Sequence, residues 1–95
     1  RKPSEAFSFQ RSGSPMQTIF VQVKCELSEA YNVADAAIMD FEEVSEVHST
    51  SGQYDLMMKC YLPDDTDIGR FVTEKIHSIK GVKDTFTIIT FKAFG

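Results

Sequence analysis

The sequence predicts a single α+β domain in which strands and helices alternate as β-α-β-β-α-β. Three observations carry that prediction. The hydrophobic period switches repeatedly between two and 3.6 along the chain. Turn-forming residues fall at the switches. The 95 residues, 42% of them hydrophobic and 25% charged, suffice for one core but not for two.

Residues 17–25 read as the first strand, with Ile19, Val21, Val23 and Cys25 on one face and Gln22 and Lys24 on the other. Ser28 offers an N-cap oxygen to a helix over residues 29–39. There Ala30, Val33, Ala34, Ala37 and Ile38 form an apolar stripe whose small alanines predict close approach to a sheet. Residues 43–50 form a second strand around Val47. Ser51, Gly52 and Gln53 supply a tight connection. In the third strand, residues 54–62, Tyr54, Leu56, Met58, Cys60 and Leu62 alternate with Asp55, Met57, Lys59 and Tyr61.

Pro63 ends that strand because it has no N–H for the ladder. Asp64, Asp65 and Asp67 crowd the start of a second helix, where carboxylates cap free N–H groups and oppose the macrodipole. The helix is expected to reach residue 78, burying Ile68, Phe71, Val72, Ile76 and Ile79. Gly69 within it costs about 1 kcal/mol relative to alanine, which makes the first turn its weak point. Gly81 is the expected left-handed stop. Residues 83–94 read as a long last strand, with Thr85, Thr87, Ile89 and Phe91 against Phe86, Ile88 and Thr90.

Right-handed crossovers place both helices on one face of a four-stranded antiparallel sheet, a ferredoxin-like sandwich. The other face then carries Phe20, Met57, Tyr61, Phe86 and Ile88, which is too apolar to be left to water. Two copies packed face to face would cover it, as a dimeric α/β barrel. A domain this small buries only about 60–65% of its unfolded surface, so self-association would also add needed stability.

Residues 1–15 differ in composition from the rest. They read as a leader added for expression ahead of a native start at Met16, the alternative being a native arm that docks through Phe7 and Phe9. Residues 16–95 form the domain. The net charge is −4; Arg1, Lys2 and Arg11 against Glu5 leave the remainder at −6, without the clustered cations of a duplex-binding surface. Direct nucleic-acid binding is therefore not expected. No run approaches the roughly 18 apolar residues of a membrane span, and no secretory signal is visible. Cys25 and Cys60 read as free thiols, and the expected location is the cytoplasm.

Several segments are then specific in combination. Val44-Ser45-Glu46-Val47-His48, followed by Gly52-Gln53-Tyr54-Asp55-Leu56, resembles the V-x-E-x-H … G-x-Y-D-L signature of the Lrp/AsnC ligand-binding (RAM) domain. Ile79-Lys80-Gly81-Val82 with Thr85-Phe86-Thr87 is similar to that family's I-P-G-V-x-x-T-x-T ending, Lys80 standing where proline is usual. The resemblance runs from about Thr18 to Phe91. It implies sheet-to-sheet dimers, further assembly into tetramers or octamers, and amino acids or similar metabolites bound in clefts between dimers near the β2–β3 turn. Carried over by motif, the ligand residues are Gly52, Tyr54, Asp55, Thr85 and Thr87. A carboxylate such as Asp55 can pair with an α-ammonium, threonine hydroxyls can bond a carboxylate, and glycine lets backbone N–H groups approach. Each also has a plainer role: Gly52 closes a hairpin, Asp55 caps a turn, Tyr54 joins the core, and threonines favour strands.

Full regulators of the family carry a helix-turn-helix before the sensor, and residues 1–15 are too short to hold one. The expectation is a stand-alone sensor without its own DNA-binding domain, which Met16 just ahead of the first strand favours over a domain cut from a longer protein; regulation would then work by mixed assembly with full-length relatives. No catalytic residues, cofactor or metal are expected. His48 and His77 lack ligand spacing, and Asp64, Asp65 and Asp67 lack that of a calcium loop. The alternative is a small barrel enzyme of monooxygenase or isomerase type, which would need a closed pocket near His48 or Tyr61. A ligand-free assembly adaptor is a third reading. The ACT domain shares the strand order, but its glycine between β1 and the first helix is replaced here by Glu26-Leu27-Ser28.

Overall fold

The computed structural model describes residues 15–94; apart from Pro15, the leader or arm with Phe7 and Phe9 lies outside the described residues. Strands β1 (Met16–Cys25), β2 (Val44–Ser49), β3 (Leu56–Pro63) and β4 (Val82–Ile89) make one antiparallel sheet in the order β2-β3-β1-β4. Helix α1 (Ala30–Asp40) connects β1 to β2. Helix α2 (Ile68–Phe71), continued by a π-helical turn (Val72–Ile76), connects β3 to β4. The architecture is the ferredoxin-like one that the periodicity predicts.

The alternation in β1 and β3 sets the two faces. Ile19, Val21, Val23 and Cys25 lie on the same side as Leu56, Met58, Cys60 and Leu62, and all eight are buried. Val33 and Ala37 of α1, with Phe71, Val72, Ile76 and Ile79 from the second helical region, close over them. The outer face bears Phe20, Met57 and Tyr61, half-buried, and Phe86 and Ile88, 54% and 37% exposed. Phe20 stands between Lys59 and Ile88, and Gln22 between Met57 and Phe86. That face is therefore a broad apolar strip with a few polar groups.

Local details depart from expectation at five places. Ser28 does not cap α1; it takes a left-handed φ of 69°, and Glu29 holds the N-cap position without a side-chain bond. At α2 only Asp67 caps, accepting from the Arg70 N–H at 3.1 Å, while the Asp64 N–H donates to Pro15 O. The second helix stops at Ile76 in π geometry, with the His77 N–H reaching Val72 O at 2.9 Å. In this turn the Lys75 ammonium meets the Glu43 carboxylate at 2.7 Å and lies 5.9 and 6.0 Å from the rings of Phe41 and Phe71. Strand β3 starts at Leu56 rather than Tyr54, because residues 50–55 form the connecting loop. Strand β4 ends at Ile89, and the residues after it run on without a ladder partner of the strand type.

Gly81 shows why the α2–β4 turn needs glycine. Its φ is 101°, and a Cβ there would meet Glu29 Cβ at 2.9 Å and Val33 Cγ2 at 3.0 Å. Gly52 has a similar φ, 106°, but nothing lies within 4 Å of its would-be Cβ. Backbone strain is common to both; crowding against α1 belongs to Gly81 alone. Gly81→Ala is expected to lower the urea-unfolding free energy by at least about 2 kcal/mol, and Gly52→Ala by about 1 kcal/mol. Equal losses would contradict the close packing of α1 on this turn.

Candidate functional site

The β2–β3 loop is assembled by backbone bonds over the end of the sheet. The Thr50 N–H donates to Asp55 O at 3.0 Å, the Thr50 hydroxyl donates to Tyr54 O at 3.0 Å, and the Asp55 N–H donates to Val23 O at 2.9 Å. Gly52 sits exposed in this loop in its left-handed conformation. The Asp55 carboxylate accepts from the Cys25 N–H at 2.7 Å, where the β1–β4 register shifts between Lys24 and Cys25. Asp55 thereby satisfies a backbone donor of β1 beyond Val23 and Leu56, the last pair of the β1–β3 ladder.

Tyr54 does not join the Leu56 face as strict alternation would have it. It precedes the strand, and its ring lies 6.2 Å from that of Phe86, an outer-face residue. Thr85 and Thr87 stand opposite Val23 and Val21, on the helix side of the sheet. The Thr85 hydroxyl is 2.8 Å from His77 Nε2. The five residues carried by motif are thus divided. Gly52, Tyr54 and Asp55 share the loop end, whereas Thr85 and Thr87 lie across the sheet from the Tyr54 ring.

A shallow hollow of about 330 Å³ opens beside the loop, lined by Lys24, Gln53, Tyr54 and Asp84. Of these only Tyr54 was singled out from the sequence. Lys24 was visible as an outward residue of β1, but its neighbour Asp84 depends on strand register, which no local signal encodes. A second, larger hollow of about 870 Å³ lies on the outer face, bordered by Phe20, Lys59, Tyr61, Asp64 and the segment after β4. Near it the Glu46 carboxylate is held below its usual range, first by the hydrogen bond from His48 at 2.8 Å and then by Lys59.

Nucleophile and base are kept apart. Cys60 is buried on the helix side opposite Ile19 and Val44, while His48 stands exposed opposite Met57. Tyr61 borders the open hollow on the outer face rather than an enclosed chamber between sheet and helices, where the core side chains pack. Among the described residues, no group of three His, Cys, Asp or Glu side chains could hold a metal ion, and no helix is long and apolar enough to cross a membrane.

An antiparallel β-α-β-β-α-β sheet with one apolar open face and a loop-edged hollow at its end defines a small ligand-binding or assembly module. The model of the Lrp/AsnC ligand binding domain matches residues 18–94, and the chain belongs to that family. The solved protein TTHA0845 from Thermus thermophilus is 32% identical, with a TM-score of 0.73 over 83% of this chain and 98% of that one. The transcriptional regulator NMB0573 of Neisseria meningitidis, solved as its L-Met complex, shares the fold at 20% identity, with a TM-score of 0.76 over 90% of this chain and 56% of that one. A homocitrate synthase of Sulfolobus acidocaldarius is 33% identical over 72 residues, 76% of this chain but 15% of that protein. Most of the other relatives are HTH-type transcriptional regulators, and the chain spans about a third to a half of their length.

Burial governs the thiols. Cys60 is pushed up to about 12 by desolvation, with Glu43 adding to the effect, and Cys25 is raised by desolvation and by Asp55. A thiol whose folded pKa is raised stabilises the fold fully below its unfolded value near 9, and that contribution is lost as pH climbs towards 12. Between about pH 8 and about pH 10.5 the wild-type chain should therefore lose about 2 kcal/mol more stability than Cys60→Val, measured by urea unfolding. Parallel pH profiles for the two would contradict a fully desolvated thiol.

Proposed function

We propose that this domain senses an amino acid or similar small metabolite and couples its binding to self-assembly. The observation that carries the reading is the family match over residues 18–94, on a sheet whose outer face presents Phe20, Met57, Tyr61, Phe86 and Ile88. A second copy packed against that face, as a dimeric α/β barrel, removes this apolar strip from water. The domain's relatives include helix-turn-helix regulators and a metabolic enzyme, and this supports a sensing unit whose output depends on what it is joined to or assembled with. The L-Met complex of the Neisseria regulator supports an amino acid as the ligand class.

The motif residues fit a composite cleft. Tyr54 and Thr85 or Thr87 approach opposite faces of one sheet, so one ligand touches both kinds only if different subunits supply them. That favours binding between dimers, with Gly52 and Tyr54 from one loop and Thr85 and Thr87 from a neighbour. Asp55 serves through its hold on the Cys25 N–H, keeping the loop in place. Where full-length regulators of the same family are present, mixed assembly is the route by which the signal reaches DNA.

Light scattering after size exclusion should give a dimer or larger assembly for the full chain, and a monomer for Phe86→Glu with Ile88→Glu. A thermal-shift panel of the twenty amino acids should then show a selective rise with the wild-type chain. A ligand at a hundred times its Kd adds about 2.7 kcal/mol, which is several degrees for a domain of this size. A flat panel on an intact oligomer contradicts amino-acid sensing. A monomeric wild-type chain contradicts the covered sheet face.

A further inference from the structure

We propose that the outward face of α1 is a docking surface for a lysine- and arginine-rich amphipathic helix of another protein. The proposal goes beyond ligand sensing and self-assembly, and it concerns the side of the molecule away from the open sheet face. Val33 and Ala37 point from α1 into the core. With about 3.6 residues per turn, the opposite side of the helix is centred on Tyr31, Asp35 and Met39, spaced i, i+4, i+8. Tyr31 is 79% exposed and Met39 81%, and Leu27, one turn before Tyr31, is 93% exposed. A solvated helix face normally carries charged and polar side chains. Between Ala30 and Asp40 the charged residues are Asp35 and Asp40 alone, so α1 is largely apolar on the face it shows to water as well as on the face it buries.

Charge decides what covers this face. Residues 26–43 contain six acidic side chains and no lysine or arginine. Glu43 is taken by Lys75, but Glu26, Asp35, Asp40 and Glu42 enter no ion pair among the described residues. An apolar ridge with acids on it and at both ends repels nucleic acid and anionic membrane surfaces, and it attracts a cationic protein surface. A second copy fits poorly. In a two-fold contact centred on the ridge Asp35 would meet Asp35, and Lys59, Arg70 and Lys75 of the copy already face glutamates. From Tyr31 to Met39 the ridge runs about 12 Å, which suits one helix packed on it with apolar side chains at its centre and cations at its rim. The Glu26 N–H donates to Gly81 O at 2.7 Å, so the turn that bears Leu27 is tied to the start of β4 and held in place beside the ridge.

The test is fluorescence anisotropy on the full chain with three labelled peptides. One is an amphipathic helix with leucines on one face and lysines and arginines on the other. The second replaces its cations by glutamate, and the third has the composition of the first in scrambled order. The wild-type chain is expected to bind the first tenfold or more tighter than either of the others, and less tightly as salt is raised. Tyr31→Ser with Met39→Ser should weaken the first peptide tenfold or more, and so should Asp35→Lys. Circular dichroism melting within the wild-type range confirms that these variants fold, and Leu27→Ser repeats the test outside the helix. Phe86→Ser with Ile88→Ser should bind the peptide as the wild type does, which separates this surface from the open sheet face. Equal affinity for the ordered and scrambled peptides, or full affinity in the α1 variants, would overturn the proposal. Loss of self-assembly in the α1 variants, with no peptide bound by the wild type, would assign the ridge to a second copy and overturn it as well. A flat amino-acid panel contradicts the sensing function but leaves the peptide result to stand or fall by itself.

Discussion

Strand β1 is hydrogen-bonded on both edges, to β3 and to β4, and its register with each neighbour sets every other relation in the molecule. Side chains in a strand alternate with period two, so one choice of register decides which half of each strand is buried. Here Ile19, Val21, Val23 and Cys25 go under the helices, which commits Phe20, Gln22 and Lys24 to the outer face. A slip of one residue would put Gln22 and Lys24 in the core, at several kcal/mol for each polar group left without a partner. The register is held by that penalty. The same pairing fixes Phe86 and Ile88 outward, and Asp84 beside Lys24.

Two consequences compete on the outer face. Apolar side chains there lower the solubility of a lone subunit, yet the interior is already filled on the other side of the sheet. A sheet with helices on one side and hydrophobic residues on both is a half-finished structure in water. The strand ends solve a different problem. The β1–β3 ladder ends at Val23 and Leu56, and beyond it Asp55 accepts from the Cys25 N–H across 30 residues of sequence. That bond holds a polar loop at one end of an apolar face. Under the proposed function, the loop that recognises ligand and the face that carries assembly are joined through one strand end.

The strands were legible from sequence because their burial follows a simple alternation, which β3 keeps over its whole length and β1 from Thr18 to Cys25. The helix stripes were legible for the same reason, with Val33, Ala37, Phe71, Val72 and Ile76 all reaching the core. The π-helical turn was not, since Val72-Thr73-Glu74-Lys75-Ile76 has no feature that separates it from an ordinary helix. Ser28 misled because its residue type favours capping while the chain needs a left-handed residue there. At the candidate site, family motifs pointed to the β2–β3 loop but could not place its side chains. The Asp55 bond to Cys25, the Tyr54 ring on Phe86 and the Lys24–Asp84 juxtaposition all join residues about 30 or more positions apart. Such contacts exist only once the register is set.

The most direct measurement is an amide NMR titration of the ¹⁵N-labelled chain with whichever amino acid it binds best. Binding at the loop-edged end of the sheet predicts shifts concentrated at Lys24 and Cys25, at Gln53 to Asp55, and at Asp84 to Phe86, with α1 and the Lys75–Glu43 contact little changed. Shifts centred on α1 or the second helical region, with the β2–β3 loop silent, would contradict it.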